Sequence, residues 1–314
     1  MCIRDRSLTG YGHYSYDFKP EATYYTESIQ DYYRRQSAPK IAVLLESDFW
    51  NFTEKQIQKL EEYGGVYAGW GNEFVPCKEE ITDQTKGEYP STLTDNWFDF
   101  IIQKREKVFS FLHYVTDEEL TFIPLESRPN NWSILGASYA SRKTAREHLS
   151  LANIKWEGRS QMLMMKLLSR TMQYGLIPKS WAIKKMNKTF SQYLRDCKYG
   201  YTCGAFIRGP IRKFFEIPAS SQVLVCQPFK GASSAGFIDQ INMIASDPGD
   251  IIEIDDWLRR HPDDAQQIAS KGYRLIETCH SIDARANQLK MIFKRMIENK
   301  FSGCTWKDGH LAPL

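Results

Sequence analysis

The sequence has no long apolar run and no large excess of charge of either sign. Nothing in it approaches the ~20 consecutive apolar residues of a membrane-spanning helix, and its first residues lack the apolar core of a signal peptide. The net charge is only +3 over 314 residues, which by itself selects no polyanionic partner. The contents of 42% hydrophobic and 25% charged residues are typical of a soluble globular protein, here long enough for two domains.

Regularly spaced cysteines and metal ligands are also missing. The seven cysteines are odd in number and include no C-x-x-C pair, so we expect reduced thiols in a cytoplasmic protein. The six histidines show no metal-ligand spacing either. The sequence therefore predicts no metal site.

The first part of the chain alternates strand and helix patterns. Residues 1–7 resemble translated adaptor sequence, and we leave them out of the fold prediction. Apolar, β-branched runs predict buried parallel strands at residues 40–46, 66–70 and 107–115. The alternation predicts a doubly wound α/β domain at residues 8–124. Three strands are few for a Rossmann domain, so we expect this first domain to be truncated.

A second α/β domain is predicted at residues 130–298, after a polar, proline-containing linker at residues 125–131. Its first strand, at residues 132–137, leads into a turn at Gly136, followed by Ser138 and a helix carrying Arg142. A glycine in such a turn lets a ligand approach the backbone, and a nearby arginine can bind a phosphate. A plain tight turn is the other interpretation.

Residues 208–226 combine a turn, a short helix and a buried strand. Arg208 and Gly209 begin the turn, and the helix after it carries Arg212 and Glu216. A helix N-terminus is a ready anion site, and a carboxylate can accept hydrogen bonds from a pair of sugar hydroxyls. The alternative is an ordinary amphipathic helix with a solvated glutamate. If Glu216 faces a cleft, its replacement should leave the stability of the protein almost unchanged.

A series of motifs extends from this helix towards the C-terminus. It consists of RKFFEIPA at 212–219, the strand at 223–226, Gly236-Phe237, HPDD at 261–264 and GYRLIETCHS at 272–281. The series resembles the C-terminal half of the CgeB-like (spore-maturation-type) glycosyltransferases. In that family we expect the corresponding series to begin with an R-x-F-E-x-x-A helix. That family has the GT-B architecture of two Rossmann-like domains. The similarity covers residues 190–296 and weakens towards residue 130.

The resemblance implies transfer of a sugar from a nucleotide-sugar donor, which is a substrate, so that no cofactor is expected. Glu216 resembles the glutamate that contacts the ribose of the nucleotide in that family. The implied donor-binding residues are Gly136, Ser138, Arg142, Arg208, Gly209, Arg212, Glu216, Gly236 and Phe237. The diphosphate would lie near the turns at Gly136 and Gly209.

Two departures from the family pattern support an alternative function. Related retaining enzymes have a second glutamate before the ribose-binding one, whereas Arg208 stands eight residues before Glu216 here. The glycine expected after the helix is replaced by Ser221. The alternative is therefore a catalytically inactive glycosyltransferase-like protein that serves in binding or as a scaffold.

Two histidines and the C-terminal helices complete the predicted domains. His113, at the carboxyl end of a first-domain strand, is the candidate catalytic base by position, whereas His280 is interpreted as structural. Gly272 is predicted to end one helix. The helix after it, at residues 281–298, would cross back to the first domain, as in the family. Its predicted core-facing residues are Ile282, Ala286, Leu289, Phe293 and Met296.

Residues 158–195 contain eight lysines and arginines and no acidic residue. Apolar residues are interleaved with these cations, so the segment suits peripheral contact with the inner membrane or a lipid-linked acceptor. The other interpretation is a solvated basic face over an ordinary core helix. No nucleic-acid-binding motif is present, and we expect no nucleic-acid partner.

Overall fold

The computed structural model describes residues 40–41, 65–70, 108–136, 140–204, 210–229, 231–298 and 300–314. In the first part of the chain, three strands pair in parallel: β1 (Lys40–Ile41), β2 (Gly65–Trp70) and β3 (Val108–Phe111). These strands confirm the predicted parallel pattern, although β3 ends earlier than expected. The predicted helices of the first domain lie outside the described residues.

A separate parallel sheet forms the second part. Its strands are β4 (Asn130–Ser133), β5 (Trp156–Glu157), β6 (Cys197–Thr202), β7 (Val223–Cys226) and β8 (Ile244–Ala245), and their order is β5-β4-β6-β7-β8. The chain passes from β4 to β5 on one side and then returns to β6 on the other side of β4. In an open α/β sheet, such a reversal of strand order opens a crevice at the carboxyl ends of the two strands.

Helices cover both faces of this sheet. They are α1 (Ala140–Leu151), α2 (Arg159–Gln173), α3 (Lys179–Asp196), α4 (Lys213–Ala219), α5 (Ile251–Arg260), α6 (Pro262–Leu275) and α7 (Ile282–Ile297). Successive residues of a strand point to opposite faces, so Val223 and Val225 pack with α1, α5 and α6, while Leu224 and Cys226 pack with α3 and α4. Among the described residues, no helix has both the length and the apolar character needed to cross a membrane.

The predicted linker at residues 125–131 is fixed by a buried arginine. Arg128 donates from Nη1 to the carbonyl oxygens of Leu194 (2.8 Å) and Cys197 (2.7 Å), and from Nη2 to the Ser221 hydroxyl (2.9 Å). It is buried, and that burial lowers its pKa to about 10. The planar guanidinium thus joins the segment before β4 to the end of α3 and to the turn after α4. The domain boundaries at 124 and 130 stay a prediction.

Two details of the C-terminal helices differ from prediction. Gly272 lies inside α6, which runs to Leu275, and a Cβ atom at this position would lie 2.8 Å from the Asn242 carbonyl oxygen. The glycine therefore allows close packing against the loop before β8 and does not end the helix. The predicted core stripe of α7 is confirmed only in part. Leu289 and Phe293 pack against the core, whereas Ile282 and Ala286 are exposed and Arg285 is buried instead.

Arg285 is buried because a C-terminal hairpin covers it. The hairpin consists of β9 (Cys304–Lys307) and β10 (His310–Pro313), which the sequence did not predict. Trp306 of β9 stacks on the Arg285 guanidinium at 4.5 Å, and Arg285 Nη1 donates to the Cys279 carbonyl oxygen (2.8 Å). The beginning of α7 also lies against the segment after β3, because the Ile282 amide donates to the Val115 carbonyl oxygen (2.8 Å).

Candidate functional site

Gly136 lies at the reversal point between β4 and β6. It has a φ of +93°, in the region that favours glycine. A Cβ atom at Gly136 would lie 2.7 Å from Arg142 Nη1 and 2.9 Å from Lys213 Nζ. The glycine therefore leaves room for two cationic side chains, one from the helix after β4 and one from the helix after β6.

The first turns of α1 supply two of the cations. Arg142 and Arg146 are four residues apart, so they lie on one face of α1. Arg142 Nη1 donates to the Leu135 carbonyl oxygen (3.1 Å), and Arg146 Nη2 donates to the carbonyl oxygens of Ile134 and Gly136, both at 2.8 Å. Burial, and then the nearby charge of Arg142, lower the pKa of Arg146 to about 10. These bonds hold two guanidinium groups at the carboxyl end of β4.

Lys213, the first residue of α4, completes this cluster of cations. Its side chain is 1% exposed, and its Nζ lies 5.6 Å from the centre of the Phe190 ring of α3. Arg142, Arg146 and Lys213 are together called the switch-point cations below. Three buried cations close together favour an anion beside them, because Coulomb interactions are strong where water is excluded.

Lys213 and Arg146 were missed by the sequence prediction. In the R-x-F-E pattern the cation stands three residues before the glutamate, and in this chain that position is Lys213, not Arg212. The four-residue spacing of Arg142 and Arg146 within a predicted helix was the available signal for Arg146. Both residues could therefore have been selected from the sequence.

Arg212 and Glu216 form a buried ion pair on the other side of the start of α4. Arg212 Nε donates to Glu216 Oε1 (2.8 Å), and Nη2 donates to Glu119 Oε2 (2.6 Å). Burial alone would lower the pKa of Arg212, but Glu216 and Glu119 raise it above its ordinary value. Burial alone would raise the pKa of Glu216, but Arg212 and Lys213 help to hold it below its ordinary value.

Glu216 is only 2% exposed and accepts a hydrogen bond from Arg212, so we now expect its replacement to lower the stability of the protein. The carboxylate nevertheless borders a cavity of about 340 Å³ between α3, α4 and residues 114–121. Glu118, Arg195 and Phe190 also line that cavity. Because Phe190 contacts Lys213 as well, the cavity and the switch-point cations are neighbours.

His113 is buried between the two parts of the chain. Its side chain is 2% exposed, and its ring lies 6.1 Å from the ring of Phe215. Burial, followed by the charge of Arg212, holds the pKa of His113 well below its ordinary value. The imidazole is therefore neutral, as a base must be, but it is enclosed. Its role as catalytic base stays a prediction.

Gly236 and Phe237 pack in the core near the C-terminal hairpin. A Cβ atom at Gly236 would lie 3.1 Å from the Gly309 Cα atom, and Phe237 stacks on the His280 ring at 5.5 Å. These contacts fit a packing role, and their part in donor binding stays a prediction. The remaining predicted residues, Ser138, Arg208 and Gly209, lie outside the described residues.

His280 is held in one neutral tautomer. Arg285 Nη2 donates to His280 Nδ1, and since arginine is only a donor, Nε2 must carry the proton that it donates to the Ala235 carbonyl oxygen (2.8 Å). Burial and the charge of Arg285 hold the pKa of His280 well below its ordinary value. The interpretation of His280 as a structural residue agrees with these contacts.

The two buried histidines predict acid lability. Both have lowered pKa values in the folded state, so the unfolded chain binds more protons once the pH falls below about 6.5. We expect the free energy of unfolding to change little between pH 8 and that pH, and to fall by up to ~2.7 kcal/mol per pH unit below it, ~1.4 from each histidine. Urea unfolding between pH 8 and pH 5 measures this slope. His280→Gln should reduce it by one proton, and a slope equal to that of the wild type would contradict the assignment.

Comparison with known proteins identifies the fold. No protein-family model matches the chain, and no curated protein matches it. Among solved structures, the chain is similar to sucrose-phosphate synthase from Thermosynechococcus elongatus, with 10% identity over 88% of this chain and 78% of that chain and a TM-score of 0.50. The strand order, the reversal point and this likeness together decide the architecture. The chain has the GT-B fold.

Other GT-B structures are similar to a lower degree. A UDP-forming α,α-trehalose-phosphate synthase from Burkholderia xenovorans is 13% identical over 86% of this chain and 77% of that chain, with a TM-score of 0.44. The pneumococcal O-GlcNAc transferase GtfA, in complex with UDP and GlcNAc, is 10% identical over 87% of this chain and 59% of that chain, with a TM-score of 0.45. The CgeB-like subtype stays a prediction from sequence.

Proposed function

We propose that this chain is a glycosyltransferase that moves a sugar from a nucleotide-sugar donor to an acceptor. The observation that carries the proposal is the cluster of switch-point cations around Gly136 in a GT-B fold. The motif series at residues 212–281 supports it independently, through its resemblance to the CgeB-like glycosyltransferases.

The switch-point cations would hold the diphosphate of the donor. In the reaction, the bond between the sugar C1 atom and the diphosphate oxygen breaks, and the nucleoside diphosphate leaves with the electron pair. The acceptor hydroxyl bonds to C1 and gives up its proton to a base, for which His113 is the candidate. Cations fixed in a water-poor crevice stabilise the negative charge that develops on the leaving group. Arg142 and Lys213 are both buried beside the Gly136 turn, where such a charge would develop.

The nucleoside would occupy the cavity lined by Glu216 and Phe190. An aromatic ring offers a stacking surface to a base, and a carboxylate held at low pKa accepts hydrogen bonds from ribose hydroxyls. Since Phe190 also contacts Lys213, a nucleotide with its diphosphate on Lys213 could reach Glu216 without leaving the crevice. In this proposal the ribose would lie at Glu216, as the resemblance implies.

Calorimetric titration with UDP, GDP and the matching nucleosides tests the proposal. A diphosphate held by three cations should make UDP or GDP bind at least ~100-fold more tightly than its nucleoside, since each charge-assisted hydrogen bond contributes ~1.5–3 kcal/mol. Lys213→Met should remove ~10–100-fold of the nucleotide affinity. Lys143→Met is the matched control, because Lys143 lies beside Arg142 but is largely exposed.

Two outcomes would contradict the proposal at different levels. Equal nucleotide affinity in Lys213→Met and Lys143→Met would show that Lys213 does not bind the diphosphate and would contradict the site as proposed. The chain would instead be the inactive binding protein if it bound a nucleotide sugar tightly but released no nucleoside diphosphate, either with or without sugar acceptors.

A further inference from the structure

The outer side of the helix pair α2–α3 exposes large apolar side chains. Five of them, from α2, from the connection at residues 174–178 and from the start of α3, are between 53% and 76% exposed: Leu163, Leu167, Tyr174, Leu176 and Trp181. Three of these lie within eight residues at the connected end of the pair. Apolar groups concentrated at the end of a helical hairpin indicate an interaction surface.

These side chains are not needed for packing of the helices on the protein. Along α3, Ala182, Met186, Phe190 and Leu194 follow at intervals of four residues and are buried in the core. Trp181 lies on the opposite face. Leu163 and Leu167 of α2, and Tyr174 directly after it, follow one line along the helix axis, whereas Leu168 faces the core. The inner faces already complete the fold, so the exposed apolar stripe is available for contact outside it.

Cations share this outer side. Arg170 continues the line of Leu163 and Leu167, and Lys184, Lys185 and Lys188 continue the line of Trp181. All four are exposed. Residues 158–195 contain no aspartate or glutamate to neutralise them. We call these four cations and the five apolar residues the hairpin surface.

We propose that the hairpin surface docks the protein reversibly on an anionic lipid bilayer. Leucine, tyrosine and tryptophan side chains enter the boundary between headgroups and acyl chains, while lysine and arginine meet the anionic headgroups. Charge complementarity favours lipid over a protein partner, because four exposed cations in an acid-free segment match the uniformly negative surface that anionic lipids present. Docking depends on this surface alone and not on the proposed transfer reaction. Since Phe190 on the inner face of α3 contacts Lys213, docking would bring the candidate site next to the membrane.

Sedimentation of the full chain with lipid vesicles tests the proposal. We expect binding to vesicles that mix phosphatidylcholine with the anionic lipid phosphatidylglycerol, and little binding to pure phosphatidylcholine. Raising the salt concentration should weaken binding, because exposed charges are screened. Replacing Lys184, Lys185 and Lys188 with Glu should lower the partition coefficient on the order of 100-fold. Leu176→Ser with Trp181→Ser should lower it at least ~tenfold and leave the salt dependence in place.

The matched control replaces Lys271, Lys290 and Lys307, three exposed lysines outside the helix pair, with Glu. This control changes the net charge by the same amount but leaves the hairpin surface intact. It should therefore bind vesicles far better than the variant with Lys184, Lys185 and Lys188 replaced. Equal binding by the two triple variants would overturn the proposal, as would absence of wild-type binding to anionic vesicles. If the wild-type protein self-associated but did not bind vesicles, and Trp181→Ser abolished the self-association, the hairpin surface would be a protein interface instead. Melting curves confirm that each variant is folded.

Discussion

Glu216→Ala is expected to lower the free energy of unfolding by about 3 kcal/mol, the low end of the effect of breaking a buried ion pair. The substitution leaves the buried Arg212 guanidinium with Glu119 as its remaining carboxylate contact (2.6 Å). Arg212→Ala should destabilise more, about 3–5 kcal/mol, because it leaves the carboxylates of both Glu216 and Glu119 without their guanidinium. Urea unfolding followed by circular dichroism measures both changes.

The control for this prediction is Glu118→Ala. Glu118 borders the same cavity, but it is exposed, so its removal should change the stability by no more than ~0.5 kcal/mol. If Glu216→Ala and Glu118→Ala were equally stable, the Arg212–Glu216 pair would not be buried in solution. Glu216→Gln keeps an acceptor for Arg212 Nε and is the variant in which to measure nucleotide affinity. A ribose role predicts UDP or GDP binding at least ~tenfold weaker, and unchanged affinity would remove Glu216 from the site.

Gly136→Ala is expected to damage both stability and nucleotide binding. The new Cβ atom would lie 2.7 Å from Arg142 Nη1 and 2.9 Å from Lys213 Nζ, and both side chains are at most 1% exposed. Left-handed strain and the displacement of two buried side chains should together lower the free energy of unfolding by about 2–4 kcal/mol. Displaced cations no longer converge on one anion, so nucleoside diphosphate affinity should fall at least ~tenfold.

Gly175→Ala separates the two causes. Gly175 also has a positive φ, +69°, but nothing lies within 4 Å of an added Cβ atom. It should therefore show the backbone strain alone, about 1–2 kcal/mol, with normal nucleotide affinity. Equal nucleotide affinities for the two alanine variants would mean that the cations at Gly136 do not bind the diphosphate.

Much of the fold follows from local sequence patterns. The apolar run at residues 223–226 predicts a buried strand because both faces of β7 are covered by helices, so no polar alternation is required. The turn at Gly136 and the helix carrying Arg142 could also be predicted, because a strand-to-helix transition is encoded within a few residues. The hairpin of β9 and β10 was missed although its local signals were present. Residues 304–307 alternate apolar and polar side chains, and Asp308-Gly309 forms a two-residue hairpin loop with positive φ at both positions.

The candidate site was predicted less completely than the fold. Glu216 was correctly placed on a short helix, but its burial depends on Arg212 and on Glu119, which lies 93 residues from Arg212 in sequence. The burial of Arg285 similarly depends on Trp306 in a hairpin beyond the end of α7. A hydrophobic period identifies apolar faces, and it carries no information about a cation that is buried by its ion pairs and stacking partners.

The sequence by itself determined the α/β class, the parallel strands on either side of residues 125–131, the basic segment at 158–195 and the motifs of the second domain. These features depend on residue periodicity and spacing, which are properties of short stretches of chain. Only the tertiary structure decided that Arg142, Arg146 and Lys213 lie around one glycine. These three side chains can lie together only because β4 and β6 are neighbours in the sheet, with β5 on the far side of β4. Strand order is fixed by the packing of distant segments, so no local pattern contains it.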